Sequence, residues 1–196
     1  MINFINILFI SIFIENALFI RAFGIRRLLI LIKKSDKLYY FAFFITMITI
    51  IHTSIIWGFN FLFHEYSLYF LFIPLMFIIC ISIPYLLIYK LLNIFFKDFL
   101  KQNLNLLVSA TFNTLIFGIL LSNFSHNYNF IESIVFGIGS QIGFIISTLL
   151  VIEGYKRLQI SKVPKSFRGL PIILIYIGIL SLAFYGLVGH ILPSKI

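Results

Sequence analysis

Apolar runs recur along the whole chain, broken by short polar stretches. A run of about 20 apolar residues is long enough to cross a bilayer as a helix. The pattern predicts six spans, at 3–20, 38–62, 69–91, 104–121, 131–152 and 170–191. Two of them carry polar groups in their bodies. The first holds Asn3, Asn6, Ser11, Glu15 and Asn16, and the fourth holds Asn105, Ser109, Thr111, Asn113 and Thr114. A charge at the bilayer centre costs about 2.5–3.5 kcal/mol on insertion scales, so Glu15 should face protein or water and have a partner.

Composition agrees with an all-α integral membrane protein rather than a soluble domain with one anchor. Of 196 residues, 61% are hydrophobic and only 11% charged, against about 25% charged in a soluble domain. The start, "MINFINILFISIF", has no basic n-region and reads as a retained first helix rather than a cleaved signal peptide. No linker or composition shift divides the chain, which is expected to be one domain.

The formal charge of +9 changes the picture through its placement. Arg21, Arg26, Arg27, Lys33, Lys34 and Lys37 follow the first span. Lys90, Lys97 and Lys101 lie around the third loop, and Lys156, Arg157, Lys162, Lys165 and Arg168 in the fifth. The second and fourth loops have no Lys or Arg, and Lys195 at the end of the chain is the exception. Basic loops stay on the cytoplasmic side. The expected topology is therefore multi-pass, with both ends of the chain outside. The charge is a topology signal and does not point to nucleic acid.

Three spans per half would give the two halves opposite orientations, a common transporter plan. Asn16 and Asn113 lie 97 residues apart, and so do Pro74 and Pro171. The expected fold is a 3+3 inverted repeat of residues 1–97 and 98–196. Corresponding polar, Gly-interrupted segments in the two halves point to a site near the midplane. The opposing reading is that Asn, Ser and Thr only hold helices together.

"IENALFIRAFGI" (14–25) resembles the first-helix motif N-N-x-V-L-x-x-x-L-G-L-C-P of the Rnf/Nqr membrane subunits. "TFNTLIFG" (111–118) is similar to that family's fourth-helix motif T-N-C-x-V-L-G. "NFIESIVFGIGSQIGF" (129–144) resembles its fifth helix. "VPKSFRG" (163–169) and "SLAFYGLVG" (181–189) resemble the closing V-P-x-x-F-R-G and S-L-A-F-x-G-F-x-G signatures, in their RnfA-like form. The resemblance implies broken first and fourth helices and a homologous RnfE/NqrD-like partner of opposite topology. It also implies one iron–sulfur cluster, held jointly by cysteines from the broken helices of both partners. The complex it implies couples electron transfer from ferredoxin or NADH to Na+ or H+ translocation; this chain would be a non-catalytic subunit of it.

The two ligand positions depart from the family. Arg26 and Thr114 stand where the motifs have cysteine, and the only cysteine, Cys80, matches neither. Thiolates hold such clusters, and a guanidinium has no lone pair to offer. This chain alone is expected to bind no cofactor, and the shared cluster is put in doubt. A cluster-free ion or small-solute permease subunit, or a structural scaffold, is the alternative function.

Gly24, Asn113 and Gly118 complete the broken-helix motifs with Glu15 and Asn16. Arg26 and Arg27 have two readings. They are topology determinants at the cytoplasmic interface, or Arg26 sits at the helix break in place of the cluster, paired with Glu15 or a partner's carboxylate. Glu15 is either an ion or proton relay group or a structural acceptor. His52, His64, His126 and His190 have no ligand spacing, so no metal site is expected. No phosphate loop, nucleophile elbow or paired catalytic carboxylates appear.

Overall fold

The computed structural model describes residues 4–63, 69–126 and 128–188. The expectations that rest on Asn3, His64, His190 and Lys195 lie outside those residues. Helices account for nearly all of the described chain, and no strand occurs among the described residues. Four helices are long and apolar enough to cross a membrane: α3 (Leu38–Phe63), α4 (Tyr69–Phe95), α7 (Phe130–Ile160) and α8 (Leu170–Val188). A bent pair, α5 (Lys97–Thr111) and α6 (Thr114–His126), with 42° between them, meets the same test of length and apolarity when taken as one span.

The expected first span at 3–20 is not one helix. A short α1 (Phe4–Phe9) runs into a π-turn (Ile10–Ile14), and regular helix stops there. Ten residues of turns follow before α2 (Ile25–Lys33) begins. Those eleven residues of helix extend about 16 Å, half a bilayer core. Arg26, Arg27 and Lys33, read from sequence as part of a basic loop, lie in α2 instead. Lys97 and Lys101 are in α5, and Lys156 and Arg157 close α7. The order of elements in each half is therefore broken helix, long helix, long helix.

The 31-residue α7 is the axis of the molecule. It packs against α1, α2, α3, α6 and α8. Its start is fixed by a capping box, in which the Asn129 side chain accepts from the amide of Glu132 and the Glu132 carboxylate accepts from the Asn129 amide. Gln141 of α7 donates to Thr49 of α3 at 2.7 Å. Buried Phe41, Phe44, Phe136 and Phe144, with Ile45, Ile48, Leu107 and Leu115, fill the space between these helices. α8 lies at the edge, with most of its side chains exposed as expected for a lipid-facing helix.

Candidate functional site

Why helix 1 breaks is visible at Asn16. Its side chain is only 1% exposed, yet all its polar atoms are paired. Oδ1 accepts from the Leu18 amide (3.1 Å), the Phe19 amide (3.0 Å) and the Ser147 hydroxyl (3.1 Å). Nδ2 donates to the Ile12 carbonyl (2.8 Å) and to the Gly143 carbonyl of α7 (3.3 Å). Accepting from residues two and three ahead is what an N-cap does. Asn16 thus starts a new turn where the old helix would have continued, and anchors it to α7. Gly143 lies near the middle of α7, and a Cβ there would come within 2.9 Å of the Ile12 carbonyl. The break therefore sits near the midpoint of the longest helix, about 20 Å from its start.

Leaving the break requires two left-handed residues, Ala22 (φ 58°) and Gly24 (φ 79°). Gly24 also presses on the Phe144 ring, so a side chain is excluded there twice over. The second break mirrors the first. α5 ends at Thr111, and Asn113 Oδ1 accepts from the Leu115 amide at 3.3 Å, capping α6. The two breaks meet: the Gly24 amide donates to Thr114 Oγ1 at 3.0 Å. Phe23 covers α6 at Gly118, where any Cβ would collide with its ring. Asn16, Gly24, Asn113, Thr114 and Gly118 are thereby parts of one junction.

Beside this junction is a pocket of about 300 Å³ lined by Arg26, Arg27, Ile30, Val108, Ser109, Phe112, Asn113 and Thr114. The two positions matching the family's cysteines share it. Their chemistry does not fit an iron–sulfur cluster. Arg26 is a permanent cation with no acceptor atom, and the Thr114 oxygen is already engaged by Gly24. Cys80 is on α4, buried beside Ile56 and Leu120, and is not in this pocket. Arg27 is buried, and its guanidinium carbon lies 4.7 Å above the Phe41 ring, a cation–π contact.

Glu15 is not paired with Arg26. It accepts from Arg21 Nη2 at 2.9 Å and meets His126 Nε2 at 2.8 Å, with 16% of its side chain exposed. Arg21, read from sequence as a loop residue, is in the break itself. His126 ends α6 and stacks on Tyr128 at 5.0 Å. Burial first, then the Glu15 and Glu132 carboxylates, push the Tyr128 phenol above its usual range. His52 is buried in α3, and neither ring nitrogen has a hydrogen-bond partner among the described residues.

Sequence reasoning missed the Glu15–Arg21–His126 group and the Arg27–Phe41 contact. Arg21 follows Glu15 by six residues, which matches no helix-face spacing, and His126 is 111 residues away.

Residues 4–191 match the family model described as "Rnf-Nqr subunit, membrane protein". The chain is 36% identical over 102 residues to the A-type subunit of the ion-translocating oxidoreductase complex of Pseudoalteromonas atlantica, covering 52% of this chain and 47% of that one. Identity to the same-named protein of Vibrio campbellii is 37% over the same coverage. The A-type subunit of the Na(+)-translocating ferredoxin:NAD(+) oxidoreductase complex of Acetobacterium woodii is 39% identical over 79 residues, 40% of this chain and 41% of the relative. The chain spans about half the length of the curated relatives it matches. With the family model covering nearly the whole chain and the two helix breaks joined at its motif residues, the chain belongs to the Rnf-Nqr family of membrane subunits.

Proposed function

We propose that the chain is an RnfA-like membrane subunit of an ion-translocating electron transport complex. In this reading it builds the membrane core together with a homologous RnfE/NqrD-like subunit and others, and oxidation of ferredoxin or NADH drives Na+ or H+ across a bacterial cytoplasmic membrane. The names of the relatives support this. The observation that carries it is the junction itself, where the Gly24 amide of one break meets Thr114 of the other. Broken backbone is tolerated at membrane depth only where it is enclosed by protein or faces a cavity.

Six spans in a 3+3 inverted repeat, residues 1–97 and 98–196, complete the reading, with both ends outside. Its support is the repeated order of elements and the matching work of Asn16 and Asn113, each capping the turn that follows its break. In this reading Glu15 is the ion or proton relay group. It sits between a guanidinium and an imidazole, so a proton or cation arriving there changes a local charge balance. The chain contributes positioning and a path, not bond chemistry.

The test is deletion of the chain, followed by ferredoxin- or NADH-driven Na+ and H+ uptake into inverted membrane vesicles. Uptake should disappear and return with the chain supplied in trans. A second reading, a cluster-free permease subunit or scaffold, is favoured by the donor character of Arg26 and Thr114. Uptake that persists without any reductant would support that reading instead.

A further inference from the structure

Four of the polar side chains that line the pocket beside the junction offer donors to it. Arg26 is exposed and makes no hydrogen bond or ion pair among the described residues. Arg27 is 8% exposed, and its Nε–H has no acceptor among the described residues. Asn113 uses its oxygen to cap α6, which leaves its buried Nδ2 without a partner. Thr114 spends its oxygen on the Gly24 amide and keeps its O–H free. Ser109 already donates to the Asn105 carbonyl.

Among the described residues no carboxylate lines this pocket. The described acids are accounted for elsewhere. Glu15 is held by Arg21 and His126, Glu132 by its own helix start, and Glu153 by Lys156. Asp36 follows α2 at its far end, and Asp98 sits in the first turn of α5. Two guanidiniums on a pocket at a helix break of a membrane protein are too costly to leave without a counter-charge. Arg26 also lines a second pocket with Lys33 and Lys34, but Arg27 is buried and lies over Phe41, so the counter-charge has to reach in as a side chain rather than lie at the surface as a lipid phosphate.

We propose that this pocket is an anion site, filled by an Asp or Glu carboxylate from the subunit packed against it. The guanidiniums of Arg26 and Arg27, with Asn113 Nδ2 and the Thr114 hydroxyl, grip that carboxylate where the family's motif would place a cluster. The contact then joins two membrane subunits by charge instead of by shared metal. This rests on the reading that another subunit packs here.

The experiment uses the complex in native membranes. With Arg26→Lys in place, a membrane-permeant carbodiimide activates the carboxylate; the new amine attacks it, an amide forms and the urea leaves. The expected product is a covalent adduct with a second subunit, mapped by mass spectrometry to one Asp or Glu and absent from the wild type. The wild-type complex is treated in parallel with phenylglyoxal. Arg26 should be protected in the assembled complex and modified once the subunits are separated. An amide to an acid of this same chain, or full modification of Arg26 in the intact complex, would overturn the proposal. If wild-type chain retains no other membrane subunit on mild extraction, the proposed function fails first, and this inference falls with it.

Discussion

Replacing Asn16 by alanine removes five hydrogen bonds at the first helix break. Not all of them cost the same. The Ser147 hydroxyl can turn to a carbonyl of its own helix, and the Gly143 carbonyl already accepts within α7. The Leu18 and Phe19 amides have no such alternative, because both residues are buried, at 1% and 5% exposure. A buried donor without an acceptor costs about 1–3 kcal/mol. Two of them set the expected loss at about 2–6 kcal/mol. For a chain of this size, at about 2–4 °C per kcal/mol, that lowers the melting temperature by about 4–24 °C. The assay is thermal unfolding of the purified complex in detergent, followed by size-exclusion chromatography. Asn16→Ser should recover about half the loss, because a serine oxygen also serves as an N-cap. If Asn16→Ala melts within about 2 °C of wild type, well short of the shift expected for a lost buried pair, the break is not held by this side chain and the reasoning from its pairing is wrong.

Three further outcomes follow from the same geometry. Thr114→Val leaves the buried Gly24 amide without its acceptor and should cost about 1–3 kcal/mol, while Thr114→Ser should be nearly neutral; equal melting temperatures for the two would refute the bond between the breaks. Gly118→Leu should dislodge Phe23 and lower the yield of folded chain, with Phe23→Ala restoring it, and a lack of rescue in the double variant would show that Phe23 is not what Gly118 accommodates. Glu15→Gln should leave complex assembly intact but reduce reductant-driven ion uptake severalfold, and unchanged uptake would reduce Glu15 to a structural acceptor.

Hydropathy was a good guide wherever a helix is continuous. The window at 38–62 became Leu38–Phe63, and the windows at 69–91 and 131–152 fell inside longer helices, of which α7 carries Lys156 and Arg157 beyond its apolar part. In the fourth span, clustered Asn, Thr and Gly marked a weak point, and the chain does break at Phe112 and Asn113. Along 3–20 the same signal was present, but hydropathy could not say that the helix stops at Ile14. That outcome depends on where the Asn16 side chain points, and its partners Gly143 and Ser147 lie 127 and 131 residues away. Arg21 and Arg27 looked like topology charges, because every basic residue after an apolar run does. Their roles come from groups that only folding brings near: Glu15 with His126 for one, the face of Phe41 for the other.

The central proposal is that the pocket of Arg26 and Thr114, at the junction of the two helix breaks, serves the complex without an iron–sulfur cluster. Its most direct test is the iron content and EPR spectrum of the complex purified through this subunit with its native partners. The account predicts a homologous membrane subunit bound in stoichiometric amount, with no intramembrane cluster signal. Stoichiometric iron with such a signal would contradict it, and would mean that electrons still cross the membrane at the pocket of Arg26 and Thr114.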